Sequence, residues 1–346
     1  MLIKANNPHG GDVYANRGRI DFSANINPFG PPEIIKNALA EALKNCAFYP
    51  DAYCRGLARA TERAKGLPRG SVLFGNGAAE LVYSFAYALP KGTRALVVEP
   101  AFCEYSLALA AAGVEAKRCV LSPEDGFASR AENILSSANG CAALFVCTPG
   151  NPTGALLEPG TLAKLAQSGK RILCDISFLD FARGGDIYRT ADIIKEYPNI
   201  VFLYSYTKSF AIPGVRLGAA VCADAEFLEE MAGKTQCWNV SVPAQAAGLA
   251  ALECGEWLKD SAARIRAERE RVSAALVSAG AKVYKSEANF LLVQTKKPAV
   301  RALAETGITV RDCGSFCGLT DRFFRAAVRR KEDNDLLAAA LTEVLK

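Results

Sequence analysis

Ser205-Tyr206-Thr207-Lys208 directly follows a run of Val, Phe and Leu, and Pro213-Gly214 then leads into Arg216-Leu217-Gly218. A lysine in a turn at the end of a buried strand is held in place, and burial lowers its proton affinity. Such an amine can add to a carbonyl carbon and form a Schiff base, more readily with a second cation beside it. Arg216 offers that cation, and its planar fork also matches phosphate oxygens. Read alone, both charges also fit an ordinary surface loop. Gly75-Asn76-Gly77-Ala78-Ala79-Glu80 lies between a strand pattern and a helix pattern. Unpaired backbone N–H groups at such a helix start face an anion such as phosphate, although a plain tight turn has the same spelling. Glu80 reads as a helix-start charge. Thr148-Pro149-Gly150-Asn151-Pro152-Thr153-Gly154 follows another strand pattern, and its prolines stiffen a loop that presents the Asn151 amide. Asp175 closes the apolar run ending Leu173-Cys174-Asp175, where a carboxylate is costly without a buried cationic partner.

These groups need a scaffold that brings strand ends together. Short apolar runs at 72–74, 95–99, 116–121, 142–147, 171–175, 201–206 and 217–222 predict seven buried strands. Segments with apolar spacing of three and four separate them, at 78–89, 102–112 and 159–167, and alternating strand and helix predicts a mainly parallel sheet covered on both faces. Beyond residue 240 the texture changes to long helical patterns at 242–253 and 257–278. Strand candidates follow at 288–294, 308–311 and 323–328, with a last amphipathic helix over 334–345. The division expected is an N-terminal arm over 1–30, a large domain over 31–240 and a small α+β domain over 241–346. The helix opening after Pro31 has one apolar stripe.

The chain has 346 residues, 50% hydrophobic and 22% charged, which is the composition of a folded globular protein. Its 41 Lys+Arg and 36 Asp+Glu are interspersed, without the basic run that clamps nucleic acid. No apolar run reaches the roughly 18 residues of a membrane helix, and the start lacks the apolar core of a signal peptide, so a cytoplasmic protein is expected. Its twelve cysteines are scattered without a CxxC pair, and His9 is the one histidine, so small core side chains are expected and no metal site.

In their order and spacing these motifs resemble the fold-type I, pyridoxal-phosphate-dependent aminotransferase family, over essentially the whole chain. The resemblance implies that Lys208 holds pyridoxal 5'-phosphate covalently, and that Ser205, Arg216 and the backbone at Gly77 and Ala78 take its phosphate. It implies that Asp175 pairs with the ring nitrogen and keeps it protonated, that Asn151 bonds the ring's phenolic oxygen, and that Phe102 stacks on the ring. Tyr49 would reach the cofactor of a neighbouring subunit, giving a homodimer with shared active sites. The family's usual tyrosine three residues after the aspartate is Phe178 here.

A narrower resemblance lies in His9-Gly10-Gly11-Asp12, in 21–30 (DFSANINPFG), in 207–214 (TKSFAIPG) and in Val310-Arg311-Asp312-Cys313. These look like the threonine-phosphate decarboxylases of cobalamin biosynthesis, relatives of histidinol-phosphate aminotransferases. The resemblance implies a pocket of His9, Gly10, Asn25, Asn151, Arg311 and Arg325 for a phosphorylated amino acid, and decarboxylation of L-threonine O-3-phosphate. Arg325 stands alone inside the apolar run Phe323-Phe324-Arg325-Ala326-Ala327-Val328, while Arg329-Arg330-Lys331 reads as a solvated face. The rivals are an aminotransferase acting on histidinol phosphate, a phosphoserine decarboxylase, and a non-catalytic regulator that keeps the cofactor as a ligand.

Overall fold

The computed structural model describes residues 9–346; residues 1–8 of the expected arm lie outside the described residues. Seven strands form one sheet in the order Val72–Gly75, Gly218–Val221, Ile200–Ser205, Arg171–Asp175, Ala143–Cys147, Arg94–Glu99, Glu115–Val120. All are parallel to their neighbours except Gly218–Val221, which is antiparallel to the strand on either side. Side chains alternate across each strand. Leu96, Leu144, Val146, Ile172, Cys174 and Phe202 therefore enter one core, while Val97, Phe145, Leu173, Val201 and Leu203 enter the core on the opposite face. The helices Ala78–Ala88, Glu104–Ala112 and Ala225–Ala232 cover the second of these faces.

Glu115–Val120 departs from the expectation of seven buried strands. It ends the sheet, Cys119 is its one buried residue, and Val120 is 51% exposed. An edge strand has a single neighbour, so its polar residues meet water at little cost.

Helix Val242–Ala251 sends Ala244, Ala247, Ala250 and Ala251 into the same core as Ile35 and Leu57. Helix Gly255–Ser278 instead packs Ala262, Ile265, Val272 and Leu276 on the third core, with helix Lys331–Val344. That core lies against a four-stranded antiparallel sheet of Arg311–Asp312, Phe323–Ala327, Phe290–Gln294 and Lys282–Val283.

The strand expected over 308–311 is split. Ile308–Thr309 pairs in parallel with Ile20–Asp21, whereas Arg311–Asp312 pairs with Phe323–Ala327. The arm supplies the missing partner, because Phe22 donates its N–H to Thr309 O (2.7 Å) and accepts from Ala327 N (2.9 Å). Arg329 holds this junction rather than lying on a solvated face: Nη1 donates to Asp21 O at 2.9 Å and Nε to Asp333 at 2.9 Å. Among the described residues no helix is long and apolar enough to cross a membrane, and all twelve cysteines are free thiols.

Candidate active site

Loops leaving the carboxyl ends of parallel strands converge on one edge, the place where open α/β sheets form sites. The antiparallel strand contributes to the same edge. Gly218 pairs with both Gly75 and Ser205, so the chain just before it, carrying Arg216, meets the Gly75–Gly77 loop. A cavity of about 350 Å³ opens there. Among its walls are His9, Gly10, Asn25, Ala78, Phe102, Asn151, Asp175, Ser205, Lys208, Arg216, Arg311 and Arg325.

Lys208 lies in the single helical turn Tyr206–Ser209 after its strand. Asn27 anchors that turn through N–H to Lys208 O (3.1 Å) and Nδ2 to Ser209 O (3.0 Å). Asp180 accepts from Tyr204 and from Ser209 Oγ, locking the turn's other side. Burial, with the charges of Arg325 and Arg216, pulls Lys208 from an ordinary 10.5 down to about 8, and Asp175 opposes this.

Asp175 is buried at its strand end, and burial pushes its carboxyl above the usual range. Two neutral donors offset this: Ser177 N–H at 2.9 Å and Tyr105 O–H at 2.6 Å. The expectation of a buried cationic partner is thus met differently, with Lys208 acting only through its field. Tyr105 keeps its proton, since burial raises it well above the ordinary tyrosine value. Neither partner was singled out in the sequence. Ser177 lies two residues beyond Asp175, whereas Tyr105 sits in the Glu104–Ala112 helix, where its spelling is that of a core aromatic.

Gly77 precedes helix Ala78–Ala88 with φ +82°, and a Cβ there would meet Arg216 Nη2 at 2.3 Å. Only glycine permits both the turn and this approach. Glu80 accepts from Asn76 N–H (2.7 Å) and Asn239 Nδ2 (2.6 Å) and so braces the loop from behind. Ser205 Oγ lies 2.7 Å from Thr207 Oγ1 beside it.

Arg311 and Arg325 face each other across the antiparallel ladder and both line the cavity. Arg325 donates to Asn151 Oδ1 and, at 2.6 Å, to Ser23 O. Its Nε has no partner, and no carboxylate pairs with it among the described residues. Burial pushes Arg325 from 12.5 down to about 10, and Arg311's charge adds to this. Asn25 is buried with neither amide atom hydrogen-bonded.

The arm crosses this wall. A Cβ at Gly10 would lie 2.4 Å from Ser23 O, so glycine is needed for the arm to lie down. His9 Nε2 is 2.7 Å from Glu104 Oε1. Tyr49 is not at the cavity of its own chain; it is 78% exposed and stacks on Trp238 at 4.5 Å.

These residues fit the ring and phosphate that the resemblance implies. A helix start and a guanidinium form an anion cradle, a buried amine of lowered pKa stands within reach, and a carboxylate at the far end is held by neutral donors. Orphaned atoms of Asn25 and Arg325 await polar partners.

The Aminotransferase class I and II family model matches residues 17–341. A threonine-phosphate decarboxylase of Salmonella typhimurium is 36% identical over 334 residues, covering 94% of this chain and 91% of that protein. The solved histidinol-phosphate aminotransferase from Clostridium acetobutylicum is similar with a TM-score of 0.87 and 28% identity, covering 93% of this chain and 98% of that one. The L-threonine-O-3-phosphate decarboxylase from Porphyromonas gingivalis has a TM-score of 0.83 and 25% identity, covering 94% and 98%. The shared scaffold is the fold-type I architecture of a mostly parallel sheet and a small antiparallel one, and this chain belongs to the aminotransferase class I and II family.

Proposed function

We propose that this chain is a pyridoxal 5'-phosphate enzyme that decarboxylates L-threonine O-3-phosphate to (R)-1-aminopropan-2-ol O-phosphate, a step toward cobalamin. The observation that carries this reading is the Arg311–Arg325 pair. Like charges directly opposite in a ladder repel, and here both line one cavity beside His9. Two guanidinium forks and an imidazole suit a substrate bearing a carboxylate and a phosphate together. The similarity to the Salmonella threonine-phosphate decarboxylase supports the same substrate.

When bound, pyridoxal phosphate supplies a conjugated ring that takes up the electron pair released at the substrate's Cα. Lys208 would hold the cofactor covalently, and its amine would return a proton to the substrate's Cα in place of the departed carboxylate. Asp175 pairs with the ring nitrogen, and Ser205, Arg216 and the backbone at Gly77 and Ala78 hold the cofactor's phosphate. Asn151 serves the phenolic oxygen with its NH2, its Oδ1 being engaged by Arg325. Phe102 stacks on the ring. Phe178, buried in the cavity wall and edge-packed on Phe290 at 5.0 Å, offers no hydroxyl to the same oxygen. Arg325 grips the substrate carboxylate, with Asn25 beside it. Arg311, His9 and Gly10 would hold the phosphate end, so that binding energy far from Cα would orient the substrate's carboxylate for its loss.

The aminotransferase reading has its own support in the Clostridium acetobutylicum structure, and it uses the same Lys208 and Asp175. The two separate on products. Purified protein given phosphothreonine should release carbon dioxide; given histidinol phosphate with 2-oxoglutarate it should form little glutamate. Glutamate without carbon dioxide would overturn the decarboxylase reading. Phosphoserine belongs in the same assay, because a methyl pocket discriminates by only about 1–3 kcal/mol.

Asp175→Asn should retain cofactor yet lose roughly 10²-fold or more in turnover, the scale of losing one preorganised electrostatic partner. A variant with wild-type turnover would make the carboxylate structural. Tyr49 should serve a second copy of the chain in a homodimer, as its exposure in its own subunit permits. Mixing inactive Tyr49→Ala and Lys208→Ala proteins should then restore activity through hybrid dimers, and no recovery after confirmed subunit exchange would count against shared sites.

A further inference from the structure

Among the described residues, Glu104 is the one acidic side chain besides Asp175 in the cavity wall. A carboxylate facing a site for a phosphate opposes the ligand unless its oxygens are engaged by other groups. Both are engaged here: Oε1 meets His9 Nε2 at 2.7 Å, and Oε2 accepts from Tyr83 O–H at 2.8 Å. Tyr83 rides on helix Ala78–Ala88, whose first turn lines the same cavity, and Glu104 opens helix Glu104–Ala112. The carboxylate thus ties the arm to the rigid helices of the large sheet.

His9 is otherwise bounded by Phe102, at 5.4 Å between ring centroids, and by Cys103, whose Sγ is 3.8 Å from Nδ1. Among the described residues, the charged groups facing this corner are Glu104 and Arg311, whose charge also reaches Cys103. The cluster of His9, Cys103 and Glu104 resembles a metal corner. However, its carboxylate and thiol face different ring nitrogens, so a hydrogen-bonded pair fits it better than one shared ion.

We propose that Glu104 is a positioning residue that acts through His9 to select phosphorylated substrates. It engages Nε2 and holds the ring in the cavity wall, at the end where the ligand's phosphate binds. The inference rests on the phosphate end assigned under Proposed function, but not on which product forms.

The test measures binding of inorganic phosphate and of phosphothreonine to the holoenzyme by calorimetry, alongside threonine as the ligand without phosphate. Glu104→Gln should weaken both phosphate ligands about tenfold or more and change threonine little. In turnover, KM for phosphothreonine should rise by a larger factor than kcat falls. Tyr83→Phe leaves the carboxylate in place but loosens it, and should give a smaller loss in the same direction. The decisive arm is the double variant His9→Asn with Glu104→Gln, expected to bind no worse than His9→Asn alone. Losses that add independently would overturn the proposal, as would a Glu104→Gln protein that binds phosphate as well as or better than wild type. Bound-cofactor absorbance and thermal melting check that each variant is folded. If phosphothreonine yields no carbon dioxide while the binding pattern holds, the decarboxylase reading fails and this inference stands.

Discussion

Replacing Lys208 with methionine will abolish turnover and the borohydride-trapped cofactor adduct, and at neutral pH it will make the cofactor-free protein more stable. The first two losses follow from chemistry. A positioned proton donor and acceptor contributes about 10²–10⁴-fold, and covalent attachment disappears with the amine. Trapping on any other lysine would overturn the assignment. The gain in stability follows from burial, which with Arg325 and Arg216 pulls the amine from 10.5 to about 8. At roughly 1.4 kcal/mol per pH unit, that depression means that housing the charged amine costs about 3 kcal/mol. Below pH 8 the amine is protonated in folded and unfolded chains alike, so the folded apoprotein bears the whole cost. Between pH 8 and 10.5 the folded protein has released a proton that the unfolded chain keeps, and stability rises with pH. Denaturant unfolding of the two apoproteins should therefore show Lys208→Met ahead by a margin that is largest below pH 8 and closes toward pH 10.5. Equal stability at pH 7 would mean that the amine is hydrated in the folded state.

Arg325→Ala is expected to reduce kcat/KM for phosphothreonine by the 2–5 kcal/mol typical of truncating one partner of a buried, hydrogen-bonded charge pair, roughly 30-fold to several thousand-fold. Three effects contribute. The substrate carboxylate loses its fork, Asn151 Oδ1 and Ser23 O lose their donor, and Lys208 loses one of the two cations that depress it. The third effect has a signature of its own. Removing the cation lets Lys208 rise toward 10.5, so the alkaline-side fall in activity, where the amine loses the proton it gives to Cα, should move to higher pH. Arg325→Lys should recover little, since a single ammonium cannot span Asn151, Ser23 and a carboxylate in one plane. A variant that keeps its kcat/KM and its pH profile would show that Arg325 is only an internal strut.

Much of the scaffold was legible in local sequence because the signals are local. The strand Arg171–Asp175 begins and ends where its apolar run does, and helices Ala78–Ala88 and Glu104–Ala112 follow their three-and-four spacing within two residues. Strand and helix periods are properties of neighbouring residues. The motifs around Lys208, Asp175, Gly77 and Asn151 were legible for a related reason, since each sits at a strand end and all parallel strands end on one edge. What the tertiary structure decided is which side chains meet. Tyr105 reaches Asp175 across 70 positions, His9 reaches Glu104 across 95, and Arg325 reaches Asn151 across 174. The facing of Arg311 and Arg325 is a matter of strand register, and the splitting of 308–311 depends on a partner strand from the other end of the chain. No local period encodes such pairings. They arise when backbone groups left unpaired in one segment, and charges buried in another, are satisfied by whatever the folded chain brings beside them.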